Sequence, residues 1–235
     1  MQQSRIIMGM PITIKIVGLV SQNIFDRVFE YFESIDEKYS PFKENSEVSQ
    51  INNGLTSVSH DMNIIMKLCK EANEITNGYF DVWRGGIFNP SGLVKGWAIK
   101  NAGNLVRNMG FENYFLDVGG DIEAFGKTWK IGIRNPFNLS ETIKVLNIQD
   151  GAVATSGNYE RGNHIYNPLG KMQNDIVSLT VIGSDILWAD VMATAAFAMG
   201  REGISFIEKQ KGLEGYMIDN KGMAIYTSGF NIYVG

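Results

Sequence analysis

An α+β fold is what this sequence predicts, on three observations. Helix-period segments fill much of the first 110 residues, while short strand-like runs crowd the stretch that follows. Strands and helices do not alternate in regular βαβ units, which argues against a doubly wound sheet. The 235 residues are 44% hydrophobic with ordinary charge content, enough to bury a sizeable core. With no internal repeat and no low-complexity linker, one domain over residues 1–235 is the simplest organisation.

The elements follow in order. The N-terminal stretch MQQSRIIMGMPITIKIVGLV reads as strand, with Ile12 to Val17 alternating apolar and polar. It lacks the charged start, clean apolar core and small-residue cleavage site of a signal peptide. Ser21 is placed to cap a helix to about Lys38, along which Ile24, Phe25, Val28, Phe29, Phe32 and Ile35 keep helical spacing. After a polar loop, a second helix spans about Asp61 to Thr76 and stops at Asn77-Gly78. GYFDVWRGGIFNPSGLVKG shows no clear period but is too aromatic for a linker. A third helix is expected from about Gly96 to Met109, then strands at Tyr114–Val118, Thr128–Arg134, Ile143–Ile148 and Ile176–Ile182. Residues 151–170 read as a polar, glycine-punctuated loop. Helices near Leu187–Met199 and Glu202–Lys211 precede short strands near Tyr216–Ile218, Met223–Tyr226 and Asn231–Val234.

Composition excludes several function classes. A net charge of −4 without basic blocks argues against a nucleic-acid partner and a polybasic membrane patch. No apolar run reaches the ~18–20 residues of a membrane span. A single cysteine, Cys69, rules out an internal disulfide framework, and its apolar setting suits a buried thiol. Two histidines and one cysteine make zinc a poor fit, and no strand-Ser-helix elbow supports a Ser-His-Asp triad.

Several constellations can carry chemistry. Asp190 and Thr194 fall at i and i+4 of a helix, so they share a face and offer hard oxygens of the kind Mg²⁺ takes. By spacing alone, an ordinary helix turn with Thr194 bonding back to a carbonyl is the simpler account. PSGLVKGWA precedes a helix, where backbone N–H groups and Lys95 suit a phosphate; its spacing is not that of a P-loop. Gly119-Gly120-Asp121 reads as a tight turn. TSGNYERGNH gathers Thr155, Ser156, Tyr159, Arg161 and His164, and a ligand-facing loop and a solvated one fit it equally. The aromatics Phe42, Tyr79, Phe80, Trp83 and Trp97 could stack on a planar heterocycle, with core packing the simpler account for each alone. His60 lies at a helix start and receives no role.

Taken in order, MGMP, YSPF…SEVSQIN, TNGYFD, SGLVKGWA, DVGGD, WKIGIRNP, VATSGNYER, HIYNP, SLTVI and ADVMATAAFAMG resemble the ApbE family of FAD:protein FMN transferases over nearly the whole chain. The resemblance implies a mixed, largely antiparallel sheet with packed helices. It implies a reaction in which FAD and Mg²⁺ are bound and FMN passes to a Thr or Ser hydroxyl of an acceptor protein, releasing AMP. Hydrolysis of FAD to FMN and AMP is the alternative, and non-catalytic flavin binding a third. Carried over by motif, Asp190 and Thr194 would ligate Mg²⁺ through side chains and Gly92 through its carbonyl. Met8, Phe42, Tyr79, Phe80, Asp81, Asn89, Lys95 and Tyr166 would line the FAD site, and His164 would carry the proton. The chain departs from the family at two carboxylates, with Asn89 and Asn167 where Asp is usual. HIYNPLG is also one residue shorter than the family's turn and lacks its Thr. Asn keeps the shape of Asp, loses the charge and gains a donor. The expected location is the cytoplasm as the sequence stands, or the periplasm or a lipid anchor if an export signal has been removed.

Overall fold

The computed structural model describes residues 1–159, 165–170 and 175–235. Its N-terminal strands β1 (Gln2–Ile7) and β2 (Met10–Ile16) form a hairpin. Helices α1 (Gln22–Tyr39), α2 (Glu47–Asn52) and α3 (His60–Ile75) follow. The two-residue strands β3 (Trp83–Arg84) and β4 (Ile87–Phe88) form a small hairpin of their own ahead of α4 (Ser91–Asn108). Five strands come next: β5 (Tyr114–Val118), β6 (Asp121–Phe125), β7 (Trp129–Asn135), β8 (Asn138–Ile148) and β9 (Gly151–Gly157). The chain closes with β10 (Ile176–Gly183), α5 (Ile186–Ala198), α6 (Glu202–Glu208), β11 (Glu214–Asp219), β12 (Ala224–Tyr226) and a 3₁₀ turn at Phe230–Tyr233.

Eight strands make one sheet in the order β1-β2-β5-β6-β9-β10-β11-β12, and every neighbouring pair is antiparallel. Because side chains alternate along a strand, the sheet carries a core on each face. On one face Ile12, Ile14, Leu116, Val118, Ala154 and Leu179 join the apolar sides of α1, α3, α4 and α5. On the other, Phe115, Ile122, Val153 and Ile182 meet Ile131, Ile133, Leu146 and Ile148 of the β7–β8 hairpin. Helix α5 buries eleven of its thirteen residues, which explains its lack of a polar face.

The expected class and most helices and strands match the structure, and the differences have physical reasons. Helix α4 begins at Ser91, ahead of the expected Gly96, because Asn89 and Pro90 start it. The Asn89 Oδ1 accepts from the Ser91 N–H at 3.1 Å, and the Pro90 carbonyl accepts from Leu93 and Val94 at 2.9 Å. Residues 151–157, read as loop, are the central strand β9, whose small and hydroxylic side chains hide its pattern. The strand expected at Asn231–Val234 is instead the 3₁₀ turn, joined to β8 by one bridge at Val234. Helix α6 stops at Glu208, before the expected Lys211.

Burial pushes the Cys69 thiol up to about 12. Thiolate is the reactive form, so at pH 8 a thiol reagent should modify native Cys69 at least ~100-fold more slowly than the urea-unfolded chain. Labelling at the unfolded rate would contradict the packing of α3.

Candidate functional site

Side-chain bonds to backbone fix the walls of one cleft. After α3 ends, the Thr76 hydroxyl donates to the Ala72 carbonyl at 2.7 Å and accepts the Phe80 N–H at 2.9 Å. The Asn73 amide donates to the Phe80 carbonyl at 2.8 Å, so Phe80 is held through both its backbone groups. Asn52, at the end of α2, holds Phe88 in the same manner, donating to its carbonyl at 2.9 Å and accepting its N–H at 2.8 Å. These bonds position the aperiodic aromatic segment against the start of α4. Opposite lie two tight turns. Met8-Gly9 joins β1 to β2 and Gly119-Gly120 joins β5 to β6, all four residues with positive φ, as two-residue hairpins require. Met8 takes that conformation without being glycine, a strain that clusters at functional sites.

The cleft between these walls has a volume of about 480 Å³, within the ~300–1,000 Å³ usual for small-molecule sites. At its base is a buried ionic cluster. The Lys95 ammonium, on α4, contacts Asp121 Oδ2 on β6 and lies 3.3 Å from Asp190 Oδ1 on α5. The other oxygens are held by backbone: Asp190 Oδ2 accepts the Gly96 N–H at 3.1 Å, and Asp121 Oδ1 accepts the Thr155 N–H at 3.0 Å. Side-chain exposure is 1% for Asp121 and 2% for Asp190, against 23% for Lys95, so only the lysine reaches solvent. Burial pushes the Asp190 carboxyl above its ordinary value; Lys95 and the Gly96 N–H act against that shift and the Asp121 carboxylate adds to it. Burial would lower the Lys95 ammonium, but the two carboxylates outweigh it and hold it above its ordinary value.

Met8, Phe42, Tyr79, Phe80, Asp81, Asn89, Gly92, Lys95, Tyr166, Asp190 and Thr194, which the motifs single out, all line this cleft. His164 lies outside the described residues; Ile165, next to it, is on the cleft wall. Phe42 is 92% exposed, whereas Phe80 is buried and forms the floor under Gly92. Trp97 is drawn away from any ligand role, packing edge-on against Tyr39 at 5.9 Å. Asn89 spends its carbonyl oxygen on Ser91, taking the hydroxyl at 2.7 Å besides the N–H. Asn167 likewise accepts the Leu169 N–H at 2.9 Å. At both departures from the family, the side chain's oxygen serves a local turn.

Sequence reasoning missed Asp121, read only as part of a turn. Its signal was position: the first residue of a strand, facing α4 and α5. It also missed Arg84, whose guanidinium stacks 4.5 Å above the Tyr166 ring, and Gly96, whose missing side chain lets α5 approach. Thr155 and Ser156, placed in a loop, stand on β9; the Ser156 hydroxyl lies 3.3 Å from that of Thr194.

The ApbE family model matches residues 8–90 and 85–217. The chain belongs to the ApbE family. Among curated relatives, the FAD:protein FMN transferase of Vibrio cholerae is 31% identical over 128 residues, 48% of this chain and 38% of that protein. The protein of the same name from Escherichia coli K12 is 27% identical over 153 residues, 58% of this chain and 44% of that one. The chain therefore aligns with less than half the length of these relatives. Among solved structures, the flavin transferase ApbE from Vibrio cholerae superposes with a TM-score of 0.86 at 21% identity, covering 99% of this chain and 98% of that one. The ApbE protein of Thermotoga maritima gives 0.87 at 20%, covering 99% and 98%. These superpositions establish the ApbE fold.

The cleft's donor chemistry fits the groups this family implies. The Tyr166 hydroxyl is buried with no hydrogen-bond partner among the described residues. Among the described residues no three His, Cys, Asp or Glu cluster together. A carboxylate, a hydroxyl and a helix-start carbonyl are hard oxygen donors, and Mg²⁺ commonly completes such a partial set with waters and phosphate oxygens.

Gly96 tests this packing. A Cβ there would come within 2.9 Å of Leu187 Cα, 3.0 Å of the Ile186 carbonyl oxygen and 3.1 Å of Asp190 Cβ. Alanine ordinarily gains ~1 kcal/mol over glycine inside a helix, but overpacking against backbone costs ~1–3 kcal/mol. Gly96→Ala should therefore lower stability in urea titrations by about 1 kcal/mol. A more stable variant would contradict the α4–α5 contact.

Proposed function

We propose that this chain transfers the FMN moiety of FAD to a Thr or Ser hydroxyl of an acceptor protein, releasing AMP, with Mg²⁺ required. The observation that carries this reading is the convergence of the motif residues on one cleft whose base holds two buried carboxylates and an ammonium. The names of the curated relatives support the same activity.

In the reaction the acceptor hydroxyl oxygen bonds to the FMN phosphorus and the pyrophosphate P–O bond breaks. AMP leaves with the bridging oxygen, and the hydroxyl proton passes to a base. Tyr79, Tyr166 and Phe42 offer ring faces to the planar parts of FAD. Lys95 offers positive charge to the phosphates from the cleft side of the cluster. Asp190, Thr194 and the Gly92 carbonyl would hold Mg²⁺, which when bound neutralises charge on the phosphate oxygens. His164 is assigned the proton by its motif position.

The test is incubation with FAD, Mg²⁺ and a lysate from cells lacking their own flavin transferase, resolved on a denaturing gel. The expected outcome is a fluorescent covalent band with an equal yield of AMP, and Asp190→Ala should slow it at least ~100-fold. Free FMN and AMP with no covalent flavin, or intact FAD throughout, would each contradict the transferase reading.

A further inference from the structure

The Lys95 ammonium faces Asp190 Oδ1, an oxygen that a metal on that residue would need. Each of the two buried carboxylates has one oxygen fixed by a backbone N–H, from Gly96 or Thr155, and turns the other towards the same ammonium. Asp190 thus has both oxygens facing hydrogen-bond donors. Magnesium binds oxygen at ~2.0–2.1 Å, so an ion on Asp190 Oδ1 would meet the ammonium 3.3 Å from that oxygen as a close like charge. The two carboxylates share one ammonium, so the cluster can take more positive charge. Asp121 is pinned and almost fully buried, whereas Lys95 lies on a flexible stem and partly lines the open cleft.

We propose that Lys95 is the resident counter-cation of the metal seat: without a divalent ion its ammonium, in contact with Asp121, also holds Asp190, and an ion enters by displacing it from Asp190 towards the cleft. The proposal rests on the reading of Asp190 as a metal ligand. It adds a consequence for binding order. The displaced ammonium gains a partner when a phosphate enters the cleft, so nucleotide and ion favour each other's binding, with the same coupling in both directions.

Calorimetric titration of the nucleotide-free protein with Mg²⁺ tests this. Lys95→Gln should bind the ion at least ~10-fold more tightly than the wild type, because the competing charge is gone. Lys95→Arg, which keeps the charge, should stay near the wild-type affinity, and Asp190→Ala should bind no ion in any background. Equal or weaker binding by Lys95→Gln, with Asp190→Ala still inactive in binding, overturns the displacement and leaves the metal reading standing. No ion binding by any form overturns both. If Lys95→Gln fails to fold, acylation of Lys95 in the wild type, read by mass spectrometry, should rise when Mg²⁺ is added; an unchanged rate overturns the proposal.

Discussion

The Lys95–Asp121–Asp190 cluster is the constraint on which the rest of the site depends. Its three members come from α4, β6 and α5, residues up to 95 positions apart in sequence, and the two buried carboxylates depend on the ammonium for charge compensation. Removing one partner of such a cluster leaves an uncompensated charge, which costs ~3–5 kcal/mol. The approach of α5 to α4 at Gly96, the placement of Asp121 after the Gly119-Gly120 turn and the exposure of the Thr155 N–H on β9 all serve it. The sheet order sets β6 beside β9, so Asp121 at the start of β6 meets the Thr155 N–H.

Around this base the cleft is built from segments with little regular structure of their own. They are held by side-chain amides and hydroxyls that take the place of a sheet ladder. Thr76 and Asn73 clamp Phe80, Asn52 clamps Phe88, and Asn89 starts α4. Each such bond satisfies a backbone group that would otherwise need water, so an aromatic wall can face a ligand without unravelling. Asn89 and Asn167 each use a side-chain oxygen to hold a local turn in the same way.

Much of the fold was legible because periodicity reports burial directly. The apolar stripe Phe25, Val28, Phe29, Phe32 placed α1, and Asn77-Gly78 marked the end of α3 within a residue or two. What stayed hidden depended on contacts distant in sequence. Strand β9 carries Thr155, Ser156 and Gly157, residues that read as loop until β6 and β10 are seen on either side. By local pattern alone Asp190 and Thr194 were legible only as a helix pair, since nothing local says that Lys95 reaches Asp190. Asp121 itself was invisible for the same reason. The motifs, taken in order along the chain, name residues that the fold brings to the lining of one cleft.

The most direct test of the account is a crystal structure of the protein with FAD and Mg²⁺. The account predicts the diphosphate of FAD at the base of the cleft, with the ion on Asp190 and Thr194 and the Lys95 ammonium within ~3 Å of a phosphate oxygen. FAD bound elsewhere, or bound in the cleft with its diphosphate away from Lys95 and Asp190, would contradict it.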